Sequence, residues 1–593
     1  MKVIKRNGSE VEFDKFKIIA AIIKAFREQY NFADGDMMSC ADKIAEEIAS
    51  MARSKPLHVE EIQDIVEKKL MSTKYKNVAK AYINYRYLHG MARDQYREMM
   101  DAVAEKLSAN NIQNQNANVD EASFGGRIGE ASDVVTKKYA LEYLVSPMAR
   151  ANHENNEVYI HDLNAYAVGS HNCLSIPFDD LLAKGFNTRQ TDVRPAQSIN
   201  TAFQLVAVIF QIQSLQQFGG VSATHLDWTM VPYVRKSFYK HFKDGVKYLS
   251  MLSFDKYEGT IDVANTSINN IFYMSFGNSV YDYAMEMTVN ECKQAVEGLF
   301  HNLNTLMSRS GNQLPFTSIN YGTCTLIEGR MVIKALLEAS IKGVGKLHKT
   351  PIFPCSIFQC MNGVNRKPGD PNYDMFQLAL KSTAQRLYPN YCNIDWSVNA
   401  GYDKNDPKTY ASSMGCRTYN GYDINGLGQL KDGRGNICPV TIIMPTLAMQ
   451  ADEKIRATTP EGATPAVNDI IDEFFNILDR KIHESKDMLI ERFEWICSQS
   501  PDAAKFMYEN NVMAGYIPEE GIRSALKHGT LVIGQLGLAE TLQILIGCDH
   551  TEERGMELAK RIEQLFKDRC AQFKNEYKLN FGVYYTPKFS WVA

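Results

Sequence analysis

Helix-like and strand-like stretches alternate along most of this chain, and that alternation limits the folds it can adopt. MVIKALLEASIKGVGKLH has the apolar spacing of a helix, whereas PFTSINYGT and NICPVTIIMP are short and rich in residues that favour strands. Strands that alternate with helices form sheets covered by helices, which is the α/β class. After a polar joint near residues 110–118, no Pro/Gly/Ser-rich linker divides the chain. We therefore expect one large barrel-like domain there.

The overall composition is that of a folded protein, with 45% hydrophobic and 23% charged residues in a chain of 593. The formal net charge of −4 offers no footprint for nucleic acid or an anionic membrane. The N-terminal MKVIKRNGSEVEF lacks the apolar region of a signal peptide, and glutamines interrupt the most apolar run, LVAVIFQIQSL. We expect a cytoplasmic protein that contacts neither membrane nor nucleic acid directly.

The 12 cysteines are scattered and form no CxxC pair, so a zinc ribbon and a disulfide framework are both disfavoured. His171 and Cys173 form an HxC motif within HDLNAYAVGSHNCLSIP, and on a strand both side chains would share one face. Because the remaining ligands of a usual zinc site are missing, we predict no metal site.

The N-terminal residues form a separate pattern. VIKRNGSEVEF predicts a β-hairpin with a two-residue Asn-Gly turn, and Asp14 is placed to cap a helix over KFKIIAAIIKAF. Further helices are predicted in VEEIQDIVEKKLM and KNVAKAYINYRYLHGM, and they must cover the hairpin because a two-stranded hairpin is marginal alone. Lys5, Arg6 and Lys17 would cluster near a helix N-terminus, which suits a polyphosphate. A solvated basic face is the alternative.

VIKRNGSEVEFDKFKI followed by HVEEIQDIVE resembles an ATP-cone, the allosteric nucleotide-sensing domain of ribonucleotide reductases. The resemblance covers residues 1–95 and leaves 96–593 as the catalytic domain. It implies ATP and dATP as allosteric effectors and nucleotide contacts from five residues: Lys5, Arg6, Lys17, Ile18 and His58.

Two further segments have chemical character. In SSMGCRTYNG, Gly415 precedes Cys416, and a bent backbone there would display the thiol, although a free cysteine is more often a small buried hydrophobe. In DGRGNICPVTIIMPTLAM, a Gly-rich turn leads into a buried strand, and a helix that starts near Pro445 could hold phosphate on its free N–H groups. An ordinary strand-to-helix connection is the alternative.

Seven segments in order resemble the anaerobic, class III ribonucleoside-triphosphate reductases. They extend from Asn116 to about Pro587 and are NANVDEASFGGRIGEA, YIHDLNAYAVGSHNCLSIPFDD, RPAQSINTAFQL, GGVSATHLDW, GVGKLHKTPIFP, SSMGCRT and GRGNICPVTI. The resemblance implies a ten-stranded α/β barrel with a central finger loop. It also implies allosteric, formate-dependent deoxyribonucleotide synthesis for DNA replication, in a homodimer activated by a radical-SAM enzyme with a [4Fe–4S] cluster.

The resemblance assigns roles within the barrel. Cys416 at the fingertip becomes the thiyl radical that takes hydrogen from C3′ of the substrate, with Met414 as its neighbour. Cys173 donates hydrogen from the opposite face of the sugar, and Asn436 helps to place substrate or formate through an amide that both donates and accepts. The other substrate-binding positions are His171, Asn172, Thr446, Leu447 and Ala448.

Cys438 follows Asn436 by two residues and would share its strand face. A second reducing thiol there would imply a thioredoxin-like reductant in place of formate. A buried strand cysteine is the alternative that the packing habits of cysteine favour.

Family members carry two CxxC pairs that bind zinc, then a glycyl-radical motif, and this sequence shows neither before it ends in NFGVYYTPKFSWVA. We expect a chain truncated at the C-terminus that does not turn over alone and needs a separate glycyl-radical domain. The alternatives are an inactive fragment, a nucleotide-binding regulatory remnant, and a different glycyl-radical enzyme related to pyruvate formate-lyase. The ATP-cone and the HNCL cysteine disfavour the last.

Overall fold

The chain divides into two compact units, Met1–Glu105 and Lys106–Ala593. The polar joint predicted near residues 110–118 lies outside the residues that the structure describes. This computed structural model describes residues 2–6, 8–108, 120–250, 254, 259–308, 313–396, 399–414, 418–460 and 462–585.

The N-terminal unit contains the predicted β-hairpin. Strands β1 (Lys2–Ile4) and β2 (Glu10–Glu12) pair antiparallel, and β3 (Leu57–His58) adds in parallel to β1. Asn7 of the predicted Asn-Gly turn lies outside the residues that the structure describes. Beyond β1, the Lys5 N–H donates to the Ser9 carbonyl at 2.8 Å.

Helices cover this small sheet, as predicted. Asp14 caps the first of them by accepting a hydrogen bond from the Phe16 N–H at 3.0 Å. The second helix was not predicted, although its buried residues Met37, Ile44 and Ile48 recur at helical spacing. The helices are α1 (Lys15–Tyr30), α2 (Gly35–Ser54), α3 (Val59–Met71) and α4 (Lys76–Leu107).

The second unit is an α/β domain built on two sheets, which confirms the predicted fold class. One sheet is all parallel with the strand order β11-β10-β9-β8-β5, and the other has the order β16-β15-β14-β4, with β4 antiparallel. Two smaller antiparallel pairs are β6–β7 and β12–β13. The strands are β4 (Val158–Ile160), β5 (Leu174–Ser175), β6 (Phe186–Asn187), β7 (Asp192–Val193), β8 (Val221–Ala223), β9 (Thr317–Tyr321), β10 (Cys355–Cys360), β11 (Asn390–Asn393), β12 (Ser413–Met414), β13 (Thr418–Tyr419), β14 (Asn436–Ile443), β15 (Thr530–Leu536) and β16 (Asn580–Tyr585).

Backbone hydrogen bonds join the two large sheets where β5 meets the start of β14. Residues 172, 173 and 175 each donate an N–H, at 2.9 Å, to the carbonyls of residues 437, 436 and 434 in turn. The falling numbers of the acceptors show that the two segments run antiparallel. Backbone hydrogen bonds therefore join the two sheets into one at this seam. Closure of the joined sheets into a ten-stranded barrel stays a prediction.

Helices pack against the outer faces of these sheets, and β9, β10 and β14 are buried along their whole length. Such strands need cover on both faces, and their polar side chains, such as Asn320 and Gln359, are buried with them. Among the described residues, no helix combines the length and apolar character that crossing a bilayer requires. The helices are α5 (Phe124–Tyr139), α6 (Pro147–Glu154), α7 (Leu163–Ala167), α8 (Phe178–Lys184), α9 (Ile199–Ser214), α10 (Leu226–Thr229), α11 (Val231–Leu249), α12 (Ile271–Met274), α13 (Asn278–Thr305), α14 (Ile327–Lys342), α15 (Tyr373–Arg386), α16 (Met444–Thr458), α17 (Val467–Cys497), α18 (Lys505–Glu509), α19 (Arg523–Leu526), α20 (Leu538–Ile546) and α21 (Glu553–Tyr577), with a π-helical turn at Ala140–Leu144 and 3₁₀ turns at Pro407–Thr409, Pro501–Ala504 and Pro518–Glu520.

Candidate active site

Cys173 lies immediately before β5, at the seam between the two sheets. Its side chain is buried, and its Sγ donates to Oδ1 of Asn172 at 2.7 Å and accepts from the Gly220 N–H at 3.3 Å. Asn172 donates in turn to the carboxylate of Asp162. The Asn172 side chain and the Gly220 N–H therefore hold the thiol in one orientation.

Two glycines allow other segments to approach this thiol closely. A Cβ added to Gly435 would lie 1.8 Å from the carbonyl oxygen of Cys173, and one added to Gly219 would lie 2.5 Å from Oδ1 of Asn172. Neither space admits a side chain, since real Cβ atoms do not approach so near. The glycines of GRGN and FGGV thus bring Asn436 and Gly220 against Cys173.

Asn436 is the first residue of β14, and its backbone carbonyl accepts from the Cys173 N–H at 2.9 Å. The side chain is 3% exposed, and its Oδ1 has no hydrogen-bond partner within the described part of the chain. A buried carbonyl oxygen without a partner costs free energy unless a ligand satisfies it. Cys173 and Asn436 therefore lie side by side, and the amide oxygen of Asn436 can still accept a hydrogen bond.

Cys416, the predicted radical cysteine, lies outside the described residues together with its neighbours 415 and 417. The flanking strands are described. In the β12–β13 pair, Ser413 faces Tyr419, and Met414, which is fully buried, faces Thr418.

The β12–β13 pair lies on the sheet face that Cys173 shares. Asn420, the residue after β13, donates from Nδ2 toward the Ser175 Oγ at 3.5 Å and to the Arg434 carbonyl at 3.0 Å. Cys173 and Ser175 are two residues apart in an extended segment, so their side chains project from the same face. The segment that carries residue 416 is thus tethered on that face.

The other predicted substrate contacts divide into two places. His171 is buried near Cys173, and neither ring nitrogen has a partner among the described residues. Burial lowers the pKa of His171 to about 4, with help from Arg492, so the ring is neutral at pH 7.

The second place is the first turn of α16, which begins at Met444, close to its predicted start. Thr446 is partly exposed there, whereas Leu447 and Ala448 are fully buried. The eight residues of β14 separate this turn from Asn436 by about 25 Å. The structure does not bring these three residues next to Cys173, and their role stays a prediction.

Cys438 is a buried thiol directed at a helix. Its Sγ donates to the Leu489 carbonyl of α17 at 3.6 Å, and burial raises its pKa to about 12. The pairing register of β14 shifts between Asn436 and Cys438, so the simple two-residue alternation does not hold across that step. These observations favour the buried strand cysteine over a second reducing thiol.

In the N-terminal unit, Arg6 pairs with Glu60 and donates to Gln63 at 3.0 Å. Burial raises the pKa of Glu60, but the hydrogen bonds from Arg6 and Arg86 outweigh it, and the pKa falls below its usual value. Arg6 lines a concavity of about 470 Å³ beside Arg86 and Tyr87.

The other predicted nucleotide contacts of this unit are dispersed. Lys17 lines a separate concavity, formed with Asp14 and Arg53, and Ile18 belongs to the core. His58 caps α3, with its Nδ1 accepting from the Glu60 N–H at 3.3 Å. Lys5 is exposed at the end of β1.

A buried acid–histidine network near β8 was missed from sequence. His225 lies 3.1 Å from Asp179 and 2.6 Å from Thr224, whose hydroxyl also donates to Asp432 at 2.5 Å. Burial alone would lower the pKa of His225, but the two carboxylates outweigh it and raise it to about 9. The only signal in the sequence was the run ATHLD, which does not indicate the residues that His225 contacts. Within the described residues, no three His, Cys, Asp or Glu side chains cluster as metal ligands.

Solved structures of known proteins share this fold. An anaerobic ribonucleotide reductase from Thermotoga maritima with dATP bound in the specificity site superposes with a TM-score of 0.54 at 15% identity, covering 82% of this chain and 72% of that chain. The same enzyme in complex with dATP and CTP gives 0.53 at 15% identity, covering 84% and 75%. At 15% identity, these matches show a shared fold.

Sequence relatives extend the likeness over almost the whole chain. The anaerobic ribonucleoside-triphosphate reductases of Haemophilus influenzae and Escherichia coli are 27% and 28% identical, each covering 99% of this chain and 76% of the relative. The ATP cone domain family matches residues 1–91, and the anaerobic ribonucleoside-triphosphate reductase family matches residues 115–590. The chain therefore belongs to the anaerobic ribonucleoside-triphosphate reductase family, with an ATP-cone at its N-terminus.

Proposed function

We propose that this chain reduces ribonucleoside triphosphates to 2′-deoxyribonucleoside triphosphates, with formate as the reductant. The observation that carries the proposal is the position of Cys173, which is bonded to Asn436 through its backbone and shares a sheet face with the β12–β13 pair. A ribose held there would meet a thiol, an amide and the segment that carries residue 416. Family membership supplies the reaction class.

The roles of the residues follow from this arrangement. Cys416 as a thiyl takes hydrogen from C3′ of the ribose, and the 2′-hydroxyl leaves as water. Cys173 donates hydrogen to C2′ from the other face, and formate supplies two electrons and leaves as carbon dioxide. C3′ then takes its hydrogen back from Cys416, which restores the thiyl radical. One ribonucleotide, one formate and one proton thus give one deoxyribonucleotide, one carbon dioxide and one water. A glycyl radical, installed by a radical-SAM activating enzyme, would supply the initial radical.

Asn436 is the residue that we assign to formate or to the ribose hydroxyls. Its Oδ1 is buried and without a partner in the described residues, so an incoming hydroxyl can donate to it. The Nδ2 can donate to a carboxylate, and the same amide therefore serves both ligands. His171, two residues before Cys173, has a neutral ring. It therefore adds no charge that would attract formate away from Asn436.

The ATP-cone is proposed to bind ATP and dATP as allosteric effectors. Arg6 and Arg86 line a concavity of about 470 Å³, and their guanidinium groups can bind phosphate there. We further propose a homodimer.

The test is turnover of the activated protein under anaerobic conditions. The full chain is mixed with its activating enzyme, [¹⁴C]formate and CTP, with and without a separately expressed glycyl-radical polypeptide. Formation of dCTP together with ¹⁴CO₂ is the expected result. A glycyl radical visible by electron paramagnetic resonance, but no deoxyribonucleotide from any of the four substrates, would refute the proposed activity.

A further inference from the structure

Five buried or half-buried side chains cross one face of the five-stranded sheet, one from each strand, and all of them contact the chain around the β12–β13 pair. We call them the polar row. Its members are Ser175, Ser222, Asn320, Gln359 and Cys392.

The strand register places the polar row on a single face. Ser175 is aligned with Ser222. Asn320 lies two residues beyond Ser318, the partner of Ser222, and Gln359 lies two residues beyond Ile357, the partner of Asn320. Gln359 is in turn aligned with Cys392. Because aligned residues and residues two apart share a face in parallel strands, all five project the same way.

Asn320 forms two hydrogen bonds with the backbone of the segment that crosses this face. Its Oδ1 accepts from the Ser413 N–H at 3.0 Å, and its Nδ2 donates to the Ser413 carbonyl at 3.0 Å. The side-chain amide thus makes both hydrogen bonds that a neighbouring strand would make. The residue is fully buried, and Nδ2 also reaches the Ala223 carbonyl at 2.9 Å, which holds the amide in place.

The neighbours in the row extend the attachment along the incoming strand. The Ser222 hydroxyl donates to the Ser413 carbonyl at 2.9 Å. Gln359 donates from Nε2 to the Ala411 carbonyl at 2.8 Å, and the Cys392 thiol points to the same carbonyl at 3.6 Å. Four strands therefore hold residues 411–413 through side chains, and Ser175 holds the outgoing side through Asn420.

A buried polar residue in a central strand is costly unless its hydrogen bonds are satisfied, and the Ser413 backbone with the Ala223 carbonyl satisfies those of Asn320. We propose that Asn320 is a positioning residue. Together with Ser222 and Gln359, it fixes how far from the sheet, and in which direction, the segment leading to Cys416 runs relative to Cys173. The inference rests on the proposed function for its catalytic consequence, but its structural part stands without it. No strand-to-strand backbone hydrogen bonds attach β12 to the five-stranded sheet, since β12 pairs only with β13 within the described residues.

The structural test is hydrogen–deuterium exchange of the full chain. Asn320→Ala removes the acceptor of the Ser413 N–H, so exchange in the peptide covering residues 411–414 should rise about 10-fold. Asn372→Ala is the matched control, because Asn372 is equally buried and donates to the Gly322 and Cys324 carbonyls without touching the row. Unchanged exchange at 411–414 in Asn320→Ala, or an equal rise in Asn372→Ala, would overturn the inference.

The catalytic test separates positioning from folding. In the activated enzyme, kcat of Asn320→Ala should fall about 100-fold while KM for CTP and the glycyl-radical signal stay near wild type, because a displacement of about 1 Å costs rate rather than binding. Ser222→Ala, which removes one hydrogen bond, should show a smaller change in the same direction, and it replaces Asn320→Ala if that variant does not fold. Loosened exchange with unchanged kcat would end the positioning role. Absence of product from wild type with the radical present would instead refute the proposed function and leave the exchange result standing.

Discussion

The backbone N–H of Cys173 donates to the carbonyl oxygen of Asn436 at 2.9 Å, and this bond joins two sheets that are far apart in sequence. It places a thiol and an unpartnered amide oxygen side by side at the seam. Gly435 makes the approach possible, since any Cβ there would overlap the Cys173 carbonyl. The predictions below follow from this contact and from the charges around it.

Replacing Cys173 with serine should abolish deoxyribonucleotide formation while leaving CTP binding intact. Serine keeps the size and the hydrogen bond to Asn172, but its O–H bond is too strong to yield a hydrogen atom to a sugar radical. We therefore expect no dCTP above background from the activated variant. Calorimetric titration with CTP and product analysis check the two halves.

Cys438→Ser serves as the control for that substitution. Its thiol donates to the Leu489 carbonyl of α17, and burial raises its pKa to about 12, which keeps it neutral. The variant should retain formate-dependent turnover. Loss of turnover comparable to Cys173→Ser would favour a thiol reductant and contradict the role we give to formate.

Asn436→Ala should raise the KM for formate about 10- to 100-fold, since one hydrogen bond to a charged ligand is lost. The measurement is the dependence of ¹⁴CO₂ release on formate concentration at saturating CTP. A variant with the wild-type formate KM would show that formate binds elsewhere.

Gly435→Ala should destabilise the protein by about 1–3 kcal/mol, as an overpacked interior does, and should also lower turnover by displacing Cys173. Gly421→Ala is the matched control, because a Cβ there meets no atom within 4 Å. Thermal unfolding of both variants, compared with wild type, checks the difference. Equal midpoints for the two variants would mean that the seam tolerates a side chain and is looser than described.

Arg6→Ala should weaken ATP binding to the chain about 10-fold or more, because a guanidinium–phosphate contact is lost. Lys69→Ala is the control, since Lys69 pairs with Glu47 elsewhere on the same unit. Glu60→Gln should strengthen ATP binding, because Glu60 competes with phosphate for Arg6. ATP titration calorimetry measures all three, and an Arg6→Ala affinity equal to wild type would remove Arg6 from the nucleotide site.

The His225 network predicts a pH dependence of stability. Its folded pKa of about 9 lies above the ordinary value near 6.5, so its contribution is fully present below about pH 6.5 and is lost as the pH rises toward 9. Asp432, whose pKa burial raises to about 6, titrates below that window. The unfolding midpoint of wild type should therefore fall across pH 6.5–9 more steeply than that of His225→Gln. Parallel curves would show that His225 is neutral in the folded protein.

Local signals in the sequence sufficed for the hairpin and three of the four helices of the N-terminal unit, since Asp14 and the hairpin pattern each act within a few residues, but they did not reveal α2. They also sufficed for the α/β class, because short β-rich segments such as β14 alternate with helical patterns. They could not reveal the polar row, since Asn320 and Gln359 look like isolated polar residues until the register aligns them. The pairing of His225 with Asp179 and Asp432 likewise depends on contacts across 46 and more residues, which no local pattern encodes.

The most direct test of the account is product analysis with the Cys416→Ala and Cys173→Ala variants beside wild type, each activated to the same glycyl-radical signal. The account predicts dCTP from wild type and none above background from either variant, with CTP bound by all three. Wild-type levels of dCTP from either variant would show that the chemistry does not pass through these two thiols, and would contradict the account.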